Sequence, residues 1–469
     1  MKFGTSGLRG LVTDLVGPAS ARYVTAFGRY LLETGQVAYG SKIYVGGDLR
    51  PSSPEIMATA MGALERIGLT PVDCRFLPTP ALALHAMAEE APCLMVTGSH
   101  IPADRNGIKF YTPAGEITKA DEQAITELAD ALAPQDLEVS PGRRVKVEPQ
   151  TEALFLARNK SILPDLALKG LRVGVYQHST VARDALVSIL NHYGAETVPL
   201  GRSDEFIPVD TEAVPEALVK LLAHWADMHR LDAIVSADGD GDRPLVADEI
   251  GQPVRGDALG VIVARYLGAK LVATPVTSSS GIEASGAFTV RRTRVGSPFV
   301  IEAMVEACKA GEQRVMGFEA NGGVLTASVF NLSGGPLRPL PTRDSFLPIL
   351  AALSQIVEQR LPLSGVVRAL QLPAALSDRI ENYPVDRSAA LMAHLRAEPA
   401  NLESFLATLG KVASVSDLDG LRVQFDHGAI IHFRPSGNAP EMRCYVEADG
   451  EEKARHLLAS GLRLVAAAC

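Results

Sequence analysis

The chain has 469 residues, more than the ~100–200 residues of an ordinary domain, so we expect about three or four compact units. Hydrophobic residues make up 47% and charged residues 21% of the chain, which excludes a disordered or fibrous protein. The net charge of -9, with no basic run, argues against a nucleic-acid or membrane-surface binder. Any anionic ligand must therefore be bound by local arginines and lysines.

The cysteines and the N-terminus indicate the compartment. The five cysteines lack CxxC spacing, which favours reduced thiols over a disulfide framework or a zinc site. The N-terminus has no apolar signal core, and no uninterrupted apolar stretch reaches the ~18 residues of a membrane span. We expect a cytoplasmic protein without membrane or nucleic-acid partners, and either a monomer or a homodimer.

Three segments share one pattern: an apolar strand-like run, a polar turn, an amphipathic helix, a glycine and a second apolar run. They span 42–74, 171–200 and 270–291. In the first two, the pattern predicts helices from about Pro54 to Ile67 and from Ala182 to Tyr193. Strands that alternate with helices predict βαβ units, so we expect three similar α/β domains with mixed or parallel sheets.

The C-terminal part of the chain differs from these repeats. Two strand-like runs, 429–433 and 442–446, flank a loop of Pro, Gly and Asn, and a terminal helix follows. This pattern predicts a smaller α+β domain. Clustered Pro and charged residues within 133–144 indicate the first linker. The expected domain boundaries are 1–145, 146–250, 251–362 and 363–469.

Polar loops that directly follow apolar strands are candidate ligand sites, because ligands of open α/β sheets bind beyond the carboxyl ends of the strands. The first such loop is 97–109. Gly98 lets the backbone turn sharply and present Ser99. His100 and Lys109 offer a proton acceptor and a fixed positive charge, which suits a hydroxyl that gains and loses phosphate. The alternative is a hydrophilic turn whose serine only bonds the backbone.

The second loop carries Asp238, Asp240 and Asp242 with glycines between them. Alternating carboxylates in an extended segment point the same way, and the glycines let them converge on one Mg²⁺ or Ca²⁺. A solvated acidic turn is one alternative. An EF-hand is another, because Glu249 completes its spacing of ligands. That alternative fails because Arg243 stands where the EF-hand loop requires glycine, and because the flanking runs predict strands.

The third loop, 317–323, follows another apolar run and is rich in glycine. Glu319 can accept hydrogen bonds from sugar hydroxyls, and Asn321 can both donate and accept. A purely structural turn is the alternative.

The fourth loop runs from Arg434 to Arg443, with Ser436, Gly437 and Asn438 between the two arginines. A guanidinium group can bond two phosphate oxygens at once, and backbone N–H groups near a glycine add further donors. The loop therefore predicts a phosphate site, with an ordinary hairpin connection as the alternative.

In this order the four loops resemble those of the α-D-phosphohexomutase superfamily, the phosphomannomutases and phosphoglucomutases, over essentially the whole chain. The run 3–10 (Phe-Gly-Thr-Ser-Gly-Leu-Arg-Gly) is also similar to the N-terminal motif of the family, which places Arg9 near the active site. The resemblance implies four domains around a central active-site cleft. The first three domains would be alike, as the internal repeat also indicates.

The resemblance also implies roles for individual residues. Ser99 would carry a phosphoserine, and one Mg²⁺ per chain would be bound by Asp238, Asp240, Asp242 and Ser99. The catalytic residues would be Ser99, His100, Lys109 and Arg243. The substrate would be bound by Arg9, Lys109, Glu319, Asn321, Arg434, Ser436, Gly437, Asn438 and Arg443.

The sequence departs from the family pattern at several positions. Ile101 stands where the family commonly has Asn after the Ser-His pair. The third loop reads Glu-Ala-Asn-Gly-Gly over 319–323, where many members read Glu-Met-Ser-Gly-His or Glu-Gln-Ser-Gly-His. The fourth loop commonly continues Gly-Thr-Glu-Pro in the family, whereas here Asn438 and Ala439 stand between Gly437 and Pro440. Asn can still donate to phosphate, but the identity of the sugar does not follow. Residues 296–298 (Gly-Ser-Pro) occupy a region where relatives contact substrate.

The expected activity is that of a phosphohexomutase, an intramolecular phosphotransferase. Phospho-Ser99 would donate to the free 1- or 6-oxygen of a hexose monophosphate, giving a hexose 1,6-bisphosphate that returns its other phosphate. Arg243 and Lys109 would neutralise charge, and either Lys109 or His100 would be the general acid/base.

Phosphomannomutase, which acts on mannose 6-phosphate and mannose 1-phosphate, is the first candidate because the third loop is not of the glucosamine type. Phosphoglucomutase and phosphoglucosamine mutase are the alternatives within this class. A metal-stabilised sugar-phosphate binding protein without turnover is the non-enzymatic alternative.

Overall fold

The structure is a computed structural model that describes residues 2–3, 7–133, 147–284, 286–436 and 440–468. Most of the predicted first linker, residues 4–6 of the N-terminal motif, and Gly437 and Asn438 of the fourth loop lie outside the described residues. The chain divides into two compact units, Met1–Val272 with Gly296–Ala369, and Ala273–Val295 with Leu370–Cys469. No helix among the described residues combines the length and the apolar character needed to cross a membrane.

The first sheet is mixed, with the strand order β1-β2-β6-β5-β3-β4 and β7 paired to β6. Its strands are β1 (Lys2–Phe3), β2 (Leu8–Leu11), β3 (Lys42–Gly47), β4 (Thr70–Phe76), β5 (Cys93–Val96), β6 (Arg105–Thr112) and β7 (Gly115–Glu116). The helices of this region are α1 (Val12–Leu15), α2 (Pro18–Glu33), α3 (Ser53–Arg66), α4 (Thr79–Ala88) and α5 (Lys119–Ala131). Strand β3 pairs in parallel with β4 and β5, whereas β6 is antiparallel to β5 and β2.

Strand β3, which lies between β5 and the edge strand β4, is covered on both faces. Ile43 and Val45 lie in the core that α2, α3 and α5 build on one face. Tyr44, between them, packs its ring against His85 of α4 on the other face, with ring centroids 4.7 Å apart. Side chains alternate along a strand, and burying one Val or Ile contributes about 1.5–3 kcal/mol, so a register slip in β3 would be costly.

The second sheet has the order β11-β10-β8-β9. Its strands are β8 (Arg172–Tyr176), β9 (Glu196–Leu200), β10 (Ala233–Ala237) and β11 (Pro244–Ala247). The helices of this region are α6 (Gln150–Asn159), α7 (Arg183–His192) and α8 (Glu216–His229). Strand β8 pairs in parallel with β9 and β10, and β10 forms an antiparallel hairpin with β11. The predicted acidic loop is the turn of this hairpin.

In the third sheet β14 lies between β12 and β15, and β18 follows β15. The strands here are β12 (Leu271–Pro275), β13 (Thr289–Thr293), β14 (Val315–Phe318), β15 (Val324–Thr326), β16 (Phe330–Leu332), β17 (Gly335–Leu337) and β18 (Leu340–Asp344). The helices are α9 (Gly256–Leu267), α10 (Gly281–Ala284), α11 (Ser297–Lys309), α12 (Phe346–Gln359) and α13 (Leu363–Arg368). The described helix between β12 and β13, α10, has four residues and is much shorter than α3 and α7 of the other two repeats.

The C-terminal sheet is antiparallel throughout, with the order β19-β23-β22-β21-β20. Its strands are β19 (Ala374–Ile380), β20 (Val412–Ser416), β21 (Leu421–Phe425), β22 (Ile430–Pro435) and β23 (Met442–Ala448). The helices are α14 (Val385–Ala397), α15 (Pro399–Leu406) and α16 (Glu451–Ala467). Helix α16 packs on β19 and β23, and the predicted phosphate loop connects β22 to β23.

Candidate active site

Ser99 lies just beyond β5 in a loop that holds it in an unusual backbone conformation. Its φ of 56° is in the left-handed region, which costs a non-glycine residue on the order of 1–3 kcal/mol. The Ser99 N–H donates to Thr97 Oγ1 at 2.7 Å, and Thr97 Oγ1 donates to Asp48 Oδ2 at 2.7 Å. These two bonds fix the backbone of the loop at Ser99.

Arg50, a residue that the sequence analysis did not single out, donates hydrogen bonds to backbone carbonyl groups of the same loop. Its guanidinium donates to the carbonyl oxygens of Ser99 at 2.9 Å and Ile101 at 2.6 Å, and also to those of Pro102 and Arg105. A Cβ atom at Gly98 would lie 2.7 Å from Arg50 Cζ, so the glycine leaves room for this arginine. Arg50 follows β3 just as the four candidate loops follow their strands, so the same strand-end rule could have found it.

The acidic loop brings together the three carboxylates that the sequence predicted to converge. Asp238, Asp240 and Asp242 are fully buried, and they present oxygen atoms that all lie within 4.8 Å of one another. Burial and the two neighbouring carboxylates raise the pKa of Asp238 to about 8. The strands on both sides, β10 and β11, are those that argued against an EF-hand.

Two of these carboxylates have oxygen atoms that suit a cation. Asp240 Oδ1 and Asp242 Oδ1 are buried and have no hydrogen-bond partner among the described residues. A buried, unbonded carboxylate oxygen is costly unless a cation or donor satisfies it, and carboxylate oxygens are preferred ligands of Mg²⁺ and Ca²⁺. The side chains present here therefore fit a divalent cation.

The Ser99 loop and the acidic loop meet. Ser99 Oγ donates to Asp238 Oδ2 at 2.5 Å. Lys109 of β6 donates from Nζ to Oδ2 of both Asp240 and Asp242, at 2.6 Å each. Burial opposes the charge on Lys109, but Asp240 and Asp242 outweigh it and raise the Lys109 pKa, so this side chain is held as a cation.

His100 lies between Ser99 and Arg243. Its Nδ1 is 3.3 Å from Ser99 Oγ and 3.0 Å from Arg243 Nη1. Since a guanidinium only donates, Nδ1 accepts and the ring proton belongs on Nε2. Burial, with the nearby Arg243, lowers the pKa of His100 to about 3, so the imidazole is neutral.

Arg9 adds to the positive charge around the acidic loop. Burial and the proximity of Arg243 and Arg343 lower the Arg9 pKa to about 10, which leaves the side chain charged at neutral pH. Four cationic side chains, each from a different strand or turn, thus face the three carboxylates: Arg9, Lys109, Arg243 and Arg343. Such a set can bind an anion once a metal has neutralised part of the carboxylate charge.

The turn between β14 and β15 carries the two residues predicted to read sugar hydroxyls. Glu319 and Asn321 are buried, and the Asn321 Oδ1 accepts from the Gly323 N–H at 3.0 Å. Arg343 of β18 donates from Nη1 to Glu319 Oε2 at 2.9 Å and from Nε to Asp242 Oδ2 at 2.9 Å. Arg343 therefore bonds both the acidic loop and the third loop, 317–323, which we call the sugar loop. It is a second arginine that the sequence analysis missed.

The predicted phosphate residues lie in the C-terminal sheet. Arg434 of β22 and Arg443 of β23 are direct partners across the strand pair. Arg434 Nε donates to Asp419 Oδ1 at 2.9 Å, and the Ser436 N–H donates to the Glu441 carbonyl at 2.9 Å. Within this sheet, the two arginines and Ser436 therefore lie around one hairpin end.

Family models match nearly the whole chain. They are the phosphoglucomutase/phosphomannomutase alpha/beta/alpha domains I, II and III, which match residues 1–136, 155–251 and 255–372, and the C-terminal domain of that family, which matches 382–462. The predicted fold class, three similar α/β domains with a smaller C-terminal domain, is confirmed. The exact boundaries between the domains stay predictions.

Relatives and solved structures agree with this match. A phosphomannomutase of Sinorhizobium fredii is 58% identical over 99% of this chain and 98% of its own length. A phosphomannomutase of Salmonella muenchen is 40% identical, covering 98% of this chain and 94% of the relative. A phosphoglucosamine mutase of Methylobacterium nodulans is 26% identical, with 96% and 95% covered.

The crystal structure of a phosphoglucomutase/phosphomannomutase family protein from Burkholderia thailandensis superposes with a TM-score of 0.76 at 20% identity, covering 99% of this chain and 97% of that one. At that identity the likeness shows the fold. Together with the four family models and the full-length relatives, it leads to one conclusion. This chain belongs to the phosphoglucomutase/phosphomannomutase family and is a phosphohexomutase, an isomerase that acts on hexose phosphates.

Proposed function

We propose that this chain interconverts mannose 6-phosphate and mannose 1-phosphate through a phosphoserine at Ser99 and a hexose 1,6-bisphosphate. The observation that carries the proposal is the position of Ser99 Oγ, which is buried and bonded to Asp238 of the acidic loop, with His100 beside it. The mannose assignment is supported by the 58% and 40% identical relatives, both phosphomannomutases, against 26% for a phosphoglucosamine mutase.

The transfer exchanges one phosphate ester for another. The bond between the phosphorus and Ser99 Oγ breaks while a bond forms to the free 1- or 6-oxygen of the sugar, whose hydroxyl proton must leave. In the second half-reaction the other phosphate of the bisphosphate returns to Ser99. The protein contributes mainly positioning and charge neutralisation, which are the usual needs of phosphoryl transfer.

His100 and Lys109 are the two candidates for moving the proton. The neutral His100 can accept one at Nδ1, which is 3.3 Å from Ser99 Oγ, once this atom gives up the hydrogen bond from Arg243. Lys109 is held as a cation by two carboxylates, which suits proton donation and charge neutralisation. Arg243, bonded to His100, adds a second positive charge on the same side.

Asp238, Asp240 and Asp242 would hold a Mg²⁺ ion together with an oxygen of the phosphorylated Ser99. When bound, the ion supplies positive charge to the transferring phosphoryl group. The two buried carboxylate oxygens without a partner among the described residues are what favour a metal here.

The remaining residues would bind and orient the sugar phosphate. Glu319 and Asn321 would read the hydroxyls, which differ between mannose and glucose only at one carbon. The non-reacting phosphate would be bound by Arg434, Ser436, Asn438 and Arg443, with Gly437 in the same loop, and Arg9 would be a further substrate-binding residue. The non-reacting phosphate would be bound in the same way in both orientations of the sugar. The bisphosphate could therefore place either of its phosphates near Ser99.

A side-by-side assay tests the proposal. Turnover of mannose 1-phosphate, glucose 1-phosphate and glucosamine 1-phosphate is measured with Mg²⁺ and a trace of the matching 1,6-bisphosphate. We expect the highest kcat/KM with mannose 1-phosphate, and no turnover by Ser99→Ala. Ser404→Ala, a change at an exposed helix position, is the matched control and should keep full activity.

Three other results of this assay would each contradict a different part of the proposal. A preference for glucose or glucosamine phosphate would overturn the mannose assignment and leave the mutase assignment standing. Binding of sugar phosphate without turnover of any of the three would favour the non-enzymatic binding protein. Full activity of Ser99→Ala would contradict the phosphoserine route.

A further inference from the structure

Arg343 is a buried arginine that touches three segments of the candidate active site. Its side chain is 2% exposed. Nε donates to Asp242 Oδ2 at 2.9 Å, and Nη1 donates to Glu319 Oε2 at 2.9 Å and to Ser297 Oγ at 3.2 Å. These acceptors belong to the acidic loop, the sugar loop and the start of α11. One guanidinium therefore links the metal-binding and sugar-reading parts of the site.

Gly323, at the end of the sugar loop, makes room for this arginine. A Cβ atom at position 323 would lie 2.8 Å from both Cγ and Cδ of Arg343 and 3.1 Å from its Cβ. These atoms form the middle of a side chain whose far end is bonded to three partners, so they cannot easily move. The φ of Gly323 is outside the left-handed region, so its backbone does not require glycine. Space for Arg343 is the reason for a glycine at this position.

Arginine is suited to this task in a way that lysine is not. Its planar, forked group can bond carboxylates from two loops at once and fix the angle between them, whereas an ammonium is a point charge on a flexible stem. Asp242 and Glu319 are both buried, so each needs a nearby positive charge. Arg343 supplies that charge and at the same time fixes the orientation of the Glu319 carboxylate.

We propose that Arg343 is a positioning residue that holds Glu319 in place for hydroxyl recognition and so sets the discrimination between sugar epimers, with Gly323 as its obligatory partner. The inference rests on the proposed function, in which Glu319 reads the sugar.

The first test replaces the forked guanidinium group of Arg343 with an ammonium group and keeps the positive charge. Arg343→Lys is compared with Arg158→Lys. Arg158 is also buried, and it bonds Asp344, the residue that follows Arg343, at 2.9 Å. The constants kcat and KM are measured with mannose 1-phosphate and glucose 1-phosphate. For Arg343→Lys we expect KM for mannose 1-phosphate to rise about tenfold and the mannose-to-glucose ratio of kcat/KM to fall by about the same factor.

Arg158→Lys should lower the melting temperature and leave the epimer ratio unchanged. If Arg343→Lys also lowers only the melting temperature, its role is structural and the inference is wrong. Should Arg343→Lys fail to fold, Gly323→Ala gives the same ratio test, because the added Cβ displaces Arg343 without removing it. An unchanged ratio in Gly323→Ala would equally overturn the inference.

The second test combines changes at the two positions. Gly323→Ala alone should displace Arg343 and reduce the epimer ratio, because its Cβ would lie 2.8 Å from Cγ and Cδ of Arg343. In Arg343→Ala those atoms are gone, so adding Gly323→Ala to that variant should reduce the ratio no further. A further fall in the double variant would show that the two positions do not share one role. Absence of turnover in the unmodified chain would instead refute the proposed function, so the two failures are distinguishable.

Discussion

Ser99 Oγ donates a hydrogen bond to Asp238 Oδ2, across 139 positions of sequence. The donor follows a strand of the first sheet and the acceptor follows a strand of the second, so the ends of two different sheets meet at this bond. The Ser99 hydroxyl thus lies against a buried carboxylate of three that could hold a metal ion, as the proposed phosphate transfer requires.

Asp238→Asn should abolish stabilisation by metal without unfolding the protein. Asp238 accepts from the N–H groups of Asp242 and Arg243 through Oδ1, and an amide oxygen can keep those bonds. The substitution also relieves repulsion among three buried carboxylates. We therefore expect Asp238→Asn without metal to melt at a temperature no lower than that of the unmodified chain without metal.

The measurement is the melting temperature with and without Mg²⁺. A ligand at a hundred times its Kd stabilises by about 2.7 kcal/mol, so the unmodified chain should shift upward. Asp238→Asn should not shift, whereas Asp449→Asn at an exposed position should shift like the unmodified chain. Equal shifts in all three would show that the ion binds elsewhere.

Gly98→Ala should impair catalysis more than stability. The new methyl would lie within 2.7–2.9 Å of the Arg50 guanidinium, which would have to move and give up bonds to loop carbonyls. A hydrogen bond from a charged group contributes about 1.5–3 kcal/mol, so losing one or two would release the loop that presents Ser99.

The check is the rate of Ser99 phosphorylation by hexose 1,6-bisphosphate, followed by mass spectrometry, together with the melting temperature. Gly450→Ala is the control, since a Cβ there would meet no atom within 4 Å. The phosphorylation rate should fall at least about tenfold in Gly98→Ala, equivalent to one such bond, and not in the control. Similar rates in both would mean that Arg50 does not position the loop.

Lys109→Met should separate the two proton-transfer candidates. It removes the cation that faces Asp240 and Asp242, whereas His100→Gln removes the proton acceptor beside Ser99 and keeps a polar side chain. If His100 accepts the proton, His100→Gln should lower kcat by about 10²–10⁴ with little change in KM. An unaltered kcat in His100→Gln, with a large loss in Lys109→Met, would assign the proton transfer to Lys109.

His432 should make the protein less stable in acid. It lies in β22, its Nε2–H donates to the Asp419 carbonyl at 2.6 Å, and burial lowers the pKa of His432 to about 4. An unfolded histidine titrates near ~6.5. Between these values the unfolded state binds a proton that the folded state does not. The free energy of unfolding therefore falls as pH drops from about 6.5 to about 4, by about 3 kcal/mol in total.

Calorimetry between pH 7.5 and 5 measures this effect. His432→Gln keeps a side-chain N–H donor and removes the titration, so its melting temperature should fall less with pH. His456→Gln, on the exposed face of α16, should follow the unmodified chain. Parallel curves for all three proteins would contradict the assignment.

The sequence predicted those parts of the fold and site that depend on local patterns. The runs that became β3, β10 and β22 are apolar, and the polar loops after them are visible without any knowledge of tertiary contacts. The helix predicted from about Pro54 to Ile67 is α3, Ser53–Arg66. The convergence of the three aspartates followed from alternation along an extended segment.

The roles of the linking arginines, Arg343 and Arg50, could not be predicted in the same way. Arg343 lies within a strand, and Asp242, its partner, is 101 positions away, so no local pattern marks the pair. Arg50 does follow a strand, but its role depends on carbonyl groups about fifty positions later that only the packed loop presents. Long-range side-chain bonds of this kind are fixed by tertiary packing, which sequence periodicity does not report.

The most direct test of the central claim is a single-turnover experiment on the phosphate at Ser99. The protein is labelled with radioactive hexose 1,6-bisphosphate, freed of sugar, mapped by peptide mass spectrometry and mixed with mannose 1-phosphate. We expect the label on Ser99 alone, its transfer to the sugar within one turnover, and no labelling of Ser99→Ala. Label on another residue, or a labelled Ser99 that keeps its phosphate while the sugar turns over, would contradict the account.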